Sequence, residues 1–184
     1  MSSSMLSFRE KYIKEVVPAL SREFSVPNVF MLPRVVKVTV NMGIGRIFKD
    51  DKLVDEAREI LRRVTGQQPA VRTARTAIAG FKTRIGSPVG LKVTLRGKRM
   101  HDFLDRLIHV ALARTRDFRG IALRAVDANG NLTIGIKEHI IFPETTEFAT
   151  RQMYGMEVTV TTTGHDRVFR IAMLRAMGFP LQAQ

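Results

Sequence analysis

Residues 62–101 read RRVTGQQPAVRTARTAIAGFKTRIGSPVGLKVTLRGKRMH and contain no Asp or Glu. This acid-free stretch holds ten of the thirty Lys and Arg residues, whereas the other twenty share the chain with all seventeen acidic residues. Most of the formal net charge of +13 is therefore concentrated in forty consecutive positions. A folded protein that concentrates positive charge in this way is typical of a polyanion binder. We infer an RNA-binding surface that is centred on the acid-free stretch.

The acid-free stretch also carries the signals for two strands and a long loop. Residues 70–73 predict a short strand, and residues 90–96 alternate apolar with polar side chains, as a half-buried strand does. Between them, residues 74–88 are punctuated by Gly80, Gly86 and Pro88 and predict an extended basic loop. The loop is longer than most connections in compact domains, and long loops of this kind are often functional.

The flanking sequence alternates between helical and strand periodicity. Asp50 or Asp51 is expected to cap one helix, Gly66 to end it, and Pro18 to bend or divide the first helix. The Asn-Gly pair at 129–130 predicts a hairpin. The complete pattern predicts helices near residues 7–24, 51–65, 100–111 and 166–177, and further strands at 34–42, 121–126, 132–141 and 156–162.

These elements predict an α+β fold. Each strand has one apolar face and each helix one apolar stripe, which is the pattern of helices packed on one face of a largely antiparallel sheet. The length of 184 residues favours a single domain over 1–184. The other face of the sheet is left open for solvent or a ligand, and its polar residues are Lys37, Asn41, Lys92, Thr94 and Arg96.

Composition and spacing count against several other classes of protein. The chain has no cysteine, so it has neither a disulfide framework nor a thiolate metal site. No apolar run approaches the length of a membrane span, and the first residues do not form a secretory signal, so we expect a soluble cytoplasmic protein. The four histidines lack metal-ligand spacing, and Gly43-Ile44-Gly45 lacks the rest of a nucleotide-binding motif. We therefore expect no cofactor.

The residues alone leave alternatives open. The basic cluster is either an RNA surface or an ordinary solvated face. Asn41, Gln67 and Thr94 are suited to base edges and ribose hydroxyls, but each is equally well a surface polar residue. Phe81, between Gly80 and Lys82, is either a stacking residue or the apolar anchor of its loop. An enzyme acting on nucleic acid and a membrane-surface module are the competing functions, which the missing acids and the missing basic amphipathic helix disfavour.

Longer motifs carry a resemblance to a known family. VNMGIG (40–45), VTGQQP (64–69), ARTAIAGFKTRIGSPVGLKVTLRG (74–97), FLDRLIHVALARTRDFRG (103–120), GIKEHIIFPE (135–144) and GMEVTV (155–160) occur in one order. Together they resemble the bacterial large-subunit ribosomal proteins that bind 5S rRNA, the "L-five" family. The similarity covers nearly the whole chain. One departure is the start of the last helix at His165, which is less acidic than the family pattern.

The resemblance implies a ribosomal protein without enzymatic activity, located in the cytoplasm on the large subunit. It implies that the chain anchors 5S rRNA in the central protuberance, beside large-subunit rRNA and neighbouring ribosomal proteins. It also implies that the loop around residues 72–86 reaches the peptidyl-site tRNA and contributes to a contact with a protein of the small-subunit head. It assigns Asn41, Gln67, Phe81 and Thr94 to the RNA-recognising surface.

The predicted RNA-binding residues thus form two groups. The group on or beside the sheet is expected to hold 5S rRNA, and the group on or beside the loop is expected to reach tRNA. The first group is Lys37, Asn41, Gln67, Lys92, Thr94 and Arg96, and the second is Arg72, Arg75, Phe81, Lys82 and Arg84.

Overall fold

A computed structural model describes residues 7–77, 84–116, 118–148, 152–164 and 166–182. The strands in these residues are β1 (Arg34–Gly43), β2 (Ala70–Thr73), β3 (Pro88–Leu95), β4 (Leu132–Ile136) and β5 (Met156–Thr163). The α-helices are α1 (Phe8–Lys11), α2 (Val17–Glu23), α3 (Asp51–Thr65), α4 (Gly97–Arg106) and α5 (Arg167–Ala176). In this part of the chain no helix is both long enough and apolar enough to cross a membrane.

The strands form one antiparallel sheet in the order β2-β3-β1-β5-β4. Burial alternates along the strands, as the sequence predicted. In β1, Val38, Val40 and Met42 are buried, whereas Asn41 and Gly43 between and beside them are exposed. The same alternation occurs in β4 and β5, and in β3 from Leu91 to Leu95. The predicted α+β class is confirmed, and one face of each of these strands is apolar and buried.

The chain divides into two compact units. The first comprises Met1–Val38, Arg96–Ile134 and Thr159–Gln184, and the second comprises Thr39–Leu95 and Gly135–Val158. The buried side chains of the first unit include Leu20, Phe103, Leu104, Met173 and Leu174. Those of the second include Ile60, Leu61, Leu91, Phe142 and Val158. The single domain over 1–184 stays a prediction.

The predicted helices are present with local modifications. The helical run at the N-terminus continues from α1 through a π-helical segment, Tyr12–Val16, into α2, and Pro18 lies in the first turn of α2. Pro18 has no backbone N–H to donate, and the π-helical segment lies directly before α2, so the hydrogen-bond pattern of the run changes where the sequence predicted a bend or a division. The fourth helix likewise continues from α4 through a π-helical segment, Leu107–Ala111, and a short 3₁₀ turn, Leu112–Arg114.

The predicted strand at 121–126 was wrong. Ile121 makes a single parallel bridge to Leu181, Leu123–Ala125 forms a 3₁₀ turn, and Val126 makes a single antiparallel bridge to Leu132. Arg167 donates side-chain hydrogen bonds to the carbonyls of Leu123, Val126 and Asp127, so side-chain donors replace a strand partner there. The Asn-Gly turn therefore connects the single bridging residue Val126 to β4, instead of connecting two full strands.

The predicted strand at 132–141 was too long. β4 ends at Ile136, and 3₁₀ turns follow at His139–Ile141 and Pro143–Phe148. His139 is fully buried, and its Nδ1 accepts a hydrogen bond from the backbone N–H of Tyr154 at 3.2 Å. The Thr145 hydroxyl donates to the His139 carbonyl at 2.8 Å. These tertiary contacts, which no periodicity encodes, hold the segment in turns.

Candidate nucleic-acid interface

The end of α3 places Gln67 beside the sheet of the second unit. Asp50 caps the start of this helix by accepting hydrogen bonds from the N–H groups of Lys52 and Leu53 at 3.0 and 3.4 Å. Gly66 ends it with φ of +67°, a left-handed conformation that glycine adopts without strain. The Gln67 side chain then lies with Nε2 3.5 Å from the Thr94 carbonyl oxygen on β3.

A buried hydroxyl holds this turn together. Thr65 is 3 % exposed, and its hydroxyl donates to the Leu61 carbonyl at 2.7 Å. The same oxygen accepts from the Gln67 backbone N–H at 3.4 Å. Thr65 therefore fixes the direction in which the chain leaves α3. Sequence reasoning missed this residue, although a hydroxyl directly before the helix-ending Gly66 was a usable signal.

The open face of β1 and β3 gathers three of the predicted residues. Asn41 is exposed on β1, and Lys92 and Thr94 are half-buried on β3. In β3 the residues that alternate with them, Leu91, Val93 and Leu95, are buried in the core. Since successive side chains of a strand point to opposite faces, Lys92 and Thr94 lie on the face opposite the core. Together with Gln67, these residues form one polar surface in the second unit.

β2 extends this surface by one strand. It pairs antiparallel with β3, with Ala70 opposite Lys92 and Arg72 opposite Gly90, and the register shifts between Arg72 and Thr73. Every residue of β2 is exposed. Arg72 is therefore an exposed residue of the sheet itself, on the strand directly next to the strand that carries Lys92.

The base of the predicted loop is ordered by backbone hydrogen bonds. The N–H of Ala74 donates to the Ser87 carbonyl at 2.8 Å, and the N–H of Gly86 donates to the Ala74 carbonyl at 3.0 Å. Arg75 and Arg84 are exposed on the two sides of this base. Phe81 and Lys82 lie outside the described residues, so the predictions for them stay predictions. Pro88 already belongs to β3, which starts two residues before the predicted strand.

Ion pairing divides the cations of the acid-free stretch into two classes. Arg62 donates to the Glu59 carboxylate at 2.7 Å, and Arg63 contacts Glu59 at 3.0 Å and also pairs with Glu147. The two arginine hydrogen bonds lower the pKa of Glu59 to about 2, and the same contact raises the pKa of Arg62. Arg63 also lies 5.0 Å above the Phe148 ring. Both arginines thus have acidic partners within the chain.

Four other cations of the stretch are different. Among the described residues, no ion pair involves Arg72, Arg75, Arg84 or Lys92, all of which belong to the second unit. Uncompensated cations on an open surface favour the binding of phosphate groups, whose counterions are released on contact. Lys37, half-buried on β1, and Arg96, exposed after β3, belong to the first unit.

The chemistry of the surface suits a nucleic acid. Amide and hydroxyl groups can donate and accept hydrogen bonds at base edges and ribose hydroxyls, while cations position phosphates. In the described part of the chain, no cluster of three or more His, Asp or Glu residues has the arrangement of a metal site.

Comparison with known protein families identifies the chain's relatives. Residues 28–84 match the family described as ribosomal protein L5, and residues 88–181 match the C-terminal part of the ribosomal L5 family. The two matched segments are separated only by residues 85–87 of the basic loop, and together they include the polar surface and all other positions of the acid-free stretch. The chain therefore belongs to the ribosomal L5 family, whose members are RNA-binding structural proteins of the large ribosomal subunit in the cytoplasm and not enzymes.

Proposed function

We propose that this protein binds 5S rRNA through the polar surface of its second unit and anchors that RNA in the central protuberance. The observation that carries the proposal is the grouping of Asn41, Gln67 and Thr94 beside the unpaired Lys92. These three side chains can form directional hydrogen bonds, and the lysine beside them makes no ion pair with any described residue. A solvated surface face needs no such grouping.

The two kinds of residue have different tasks in this proposal. Lys92 contacts phosphates and contributes to affinity without selecting a sequence. Asn41, Gln67 and Thr94 read base edges and ribose 2′-hydroxyls, which distinguish one folded RNA from another. Lys37 and Arg96 add further phosphate contacts. The proposal rests on family membership for the identity of the RNA, since charge and hydrogen-bonding groups specify only its chemical class.

The loop serves a second RNA in this proposal. Arg75 and Arg84 flank its ordered base. Phe81 and Lys82 are assigned to the same contact from the sequence. A basic loop that leaves the sheet can reach beyond 5S rRNA, and we assign to it the peptidyl-site tRNA. Contacts with large-subunit rRNA, with neighbouring ribosomal proteins and with a protein of the small-subunit head complete the proposed set of partners.

Filter binding tests the first part. The purified chain should bind 5S rRNA more tightly than a shuffled RNA of equal length at the same salt concentration. Asn41→Ala should weaken 5S binding about tenfold, the effect expected when one directional contact is lost. The shuffled RNA should bind wild type and variant equally. Equal affinity of the wild type for both RNAs would remove the proposed specificity.

A charge reversal tests the role of the loop. Arg75→Glu combined with Arg84→Glu should leave binding of free 5S rRNA within about twofold of wild type, a difference of less than 0.5 kcal/mol. In ribosomes assembled with this variant, the affinity for peptidyl-site tRNA should fall. Unchanged tRNA affinity in assembled ribosomes would show that the loop acts elsewhere.

A further inference from the structure

Asn41 and Arg72 converge on one glycine of β3, the strand between β1 and β2. Arg72 lies directly opposite Gly90 in the β2–β3 register. A Cβ atom added to Gly90 would lie 3.8 Å from Asn41 Oδ1 and 4.0 Å from Arg72 Cβ. The two side chains therefore flank Gly90 from β1 and from β2. Gly90 is buried, whereas Asn41 and Arg72 are both exposed.

The fold does not require a glycine at this position. The φ angle of Gly90 is outside the left-handed range, and the closest atom to an added Cβ would be the Met42 carbonyl oxygen at an ordinary 3.5 Å. Glycine inside a strand costs about 0.5–1 kcal/mol relative to alanine, because it loses more conformational freedom on folding. A glycine inside a strand often marks a bulge or a close approach of a ligand or another backbone, and the register shift between Arg72 and Thr73 lies directly beside Gly90.

We propose that Asn41 and Arg72, brought together across Gly90, form a binding site for a single RNA nucleotide. The Arg72 guanidinium contacts the phosphate, and the Asn41 amide contacts the base edge or the ribose 2′-hydroxyl. Gly90 is the positioning residue, since a side chain there would contact both Asn41 Oδ1 and Arg72 Cβ. The inference rests on the proposed binding of 5S rRNA, and it moves Arg72 from the loop group to the 5S-binding group.

The geometry favours this assignment over a role of Arg72 in the loop. Arg72 is part of β2 and is paired across the sheet, whereas the ordered base of the loop starts at Ala74. Arg72 makes no ion pair with any described residue, so its charge is available for a phosphate. Its cross-strand neighbour lacks a side chain, so nothing on β3 separates it from Asn41.

A double-mutant cycle on free 5S rRNA tests the pairing. Asn41→Ala and Arg72→Gln should each weaken binding about tenfold, and the double variant should lose clearly less than the product of the two. Non-additivity is expected because one nucleotide held by two groups is released when either is removed. If Arg72→Gln leaves the affinity unchanged, or if the two effects multiply, Arg72 and Asn41 do not share a nucleotide.

Gly90→Ala tests the positioning role through two measurements, RNA affinity and melting temperature, which should not fall together. The variant should bind 5S rRNA several-fold more weakly while its melting temperature stays equal or rises, since a residue needed only for folding would lower both. Gly135→Ala is the matched control. Gly135 is an exposed strand glycine in the same unit, with open space around it and ordinary φ, on β4, which is two strands away from β1.

The control should raise the melting temperature without changing RNA affinity. If Gly90→Ala binds as tightly as wild type, or if both alanine variants weaken binding equally, the positioning role is overturned while the proposed function stands. If the wild type itself does not prefer 5S rRNA to the shuffled RNA, the proposed function fails and this inference fails with it. The two failures are therefore distinguishable in one set of measurements.

Discussion

At the scale of single residues, cations of the acid-free stretch differ in whether they stabilise the fold or are available to bind RNA. Arg63 contacts Glu59, Glu147 and Phe148, whereas Lys92 forms no ion pair within the described residues. Arg63→Gln should lower the free energy of unfolding by about 1 kcal/mol, the sum expected for partly exposed ion pairs and a cation–π contact. It should leave the salt dependence of RNA binding unchanged. Urea unfolding and filter binding measure the two effects.

Lys92→Gln is expected to give the opposite result to Arg63→Gln: it should change RNA binding and leave stability unchanged. Its unfolding free energy should equal that of wild type within about 0.5 kcal/mol, because a surface cation without a partner contributes little to folding. The slope of log K against log salt for 5S rRNA should become shallower by about 1, the value for one lost phosphate contact. An unchanged slope for Lys92→Gln, or a shallower one for Arg63→Gln, would contradict the division of the cations.

The lowered pKa of Glu59 predicts how the free energy of unfolding changes at acid pH. Its folded pKa of about 2 lies below the ordinary value of 4.5, because Arg62 and Arg63 hydrogen-bond to the charged form. A depressed carboxyl pKa gives stability that is fully present above pH 4.5 and is lost as pH falls towards 2. Its side chain is 33 % exposed, so solvent screening keeps this contribution below about 1 kcal/mol.

The measurement is a comparison of wild type with Glu59→Gln. The wild type should be more stable than the variant at pH 6, and the difference should shrink as pH is lowered to 3. Lys14→Gln removes a surface ion pair with Glu10 elsewhere and serves as a control that keeps Glu59 intact. A difference between wild type and Glu59→Gln that is the same at both pH values would show that Glu59 keeps its ordinary pKa.

At the scale of elements, the two ends of α3 separate stability from binding. Asp50→Ala removes the N-cap and should cost about 1 kcal/mol of unfolding free energy. Gly66→Ala should cost about 1–2 kcal/mol, because alanine is strained at the left-handed φ of +67°. Only Gly66→Ala also disturbs the turn that carries Gln67. We therefore expect weaker 5S rRNA binding for Gly66→Ala alone, measured at a temperature where both variants are folded.

The same elements show what the sequence could predict. Asp50, the apolar stripe of α3 and Gly66 are local signals, and the observed helix begins and ends where they predicted. The strand predicted at 121–126 failed because Arg167, more than forty positions away, satisfies its carbonyls. Asn41 was found from alternation and resemblance, but its proximity to Arg72 depends on the order of β1, β3 and β2. Strand order is a tertiary property that periodicity does not contain.

At the scale of the whole molecule, the distribution of paired and unpaired cations decides where the positive field is strongest. Along α3, Arg58 pairs with Asp55, and Arg62 and Arg63 pair with Glu59, so this helix compensates much of its own charge. The positive charge is therefore less compensated on β2, β3 and the base of the loop, because the sequence of these elements contains no acidic residue. Long-range attraction of RNA should be directed to this region.

The salt dependence of 5S rRNA binding measures that field. If Arg72 and Lys92 both contact phosphates of 5S rRNA, the slope of log K against log salt should be at least as steep as about −1.4, since each contact contributes roughly −0.7 to −0.9. Replacing both by Gln should make the slope shallower by about 1.5, whereas replacing Arg62 and Arg63 by Gln should change it little. A wild-type slope shallower than about −1 would contradict the assignment of these cations to phosphates. Equal losses in the two sets of variants would show that net charge, and not the position of unpaired cations, controls binding.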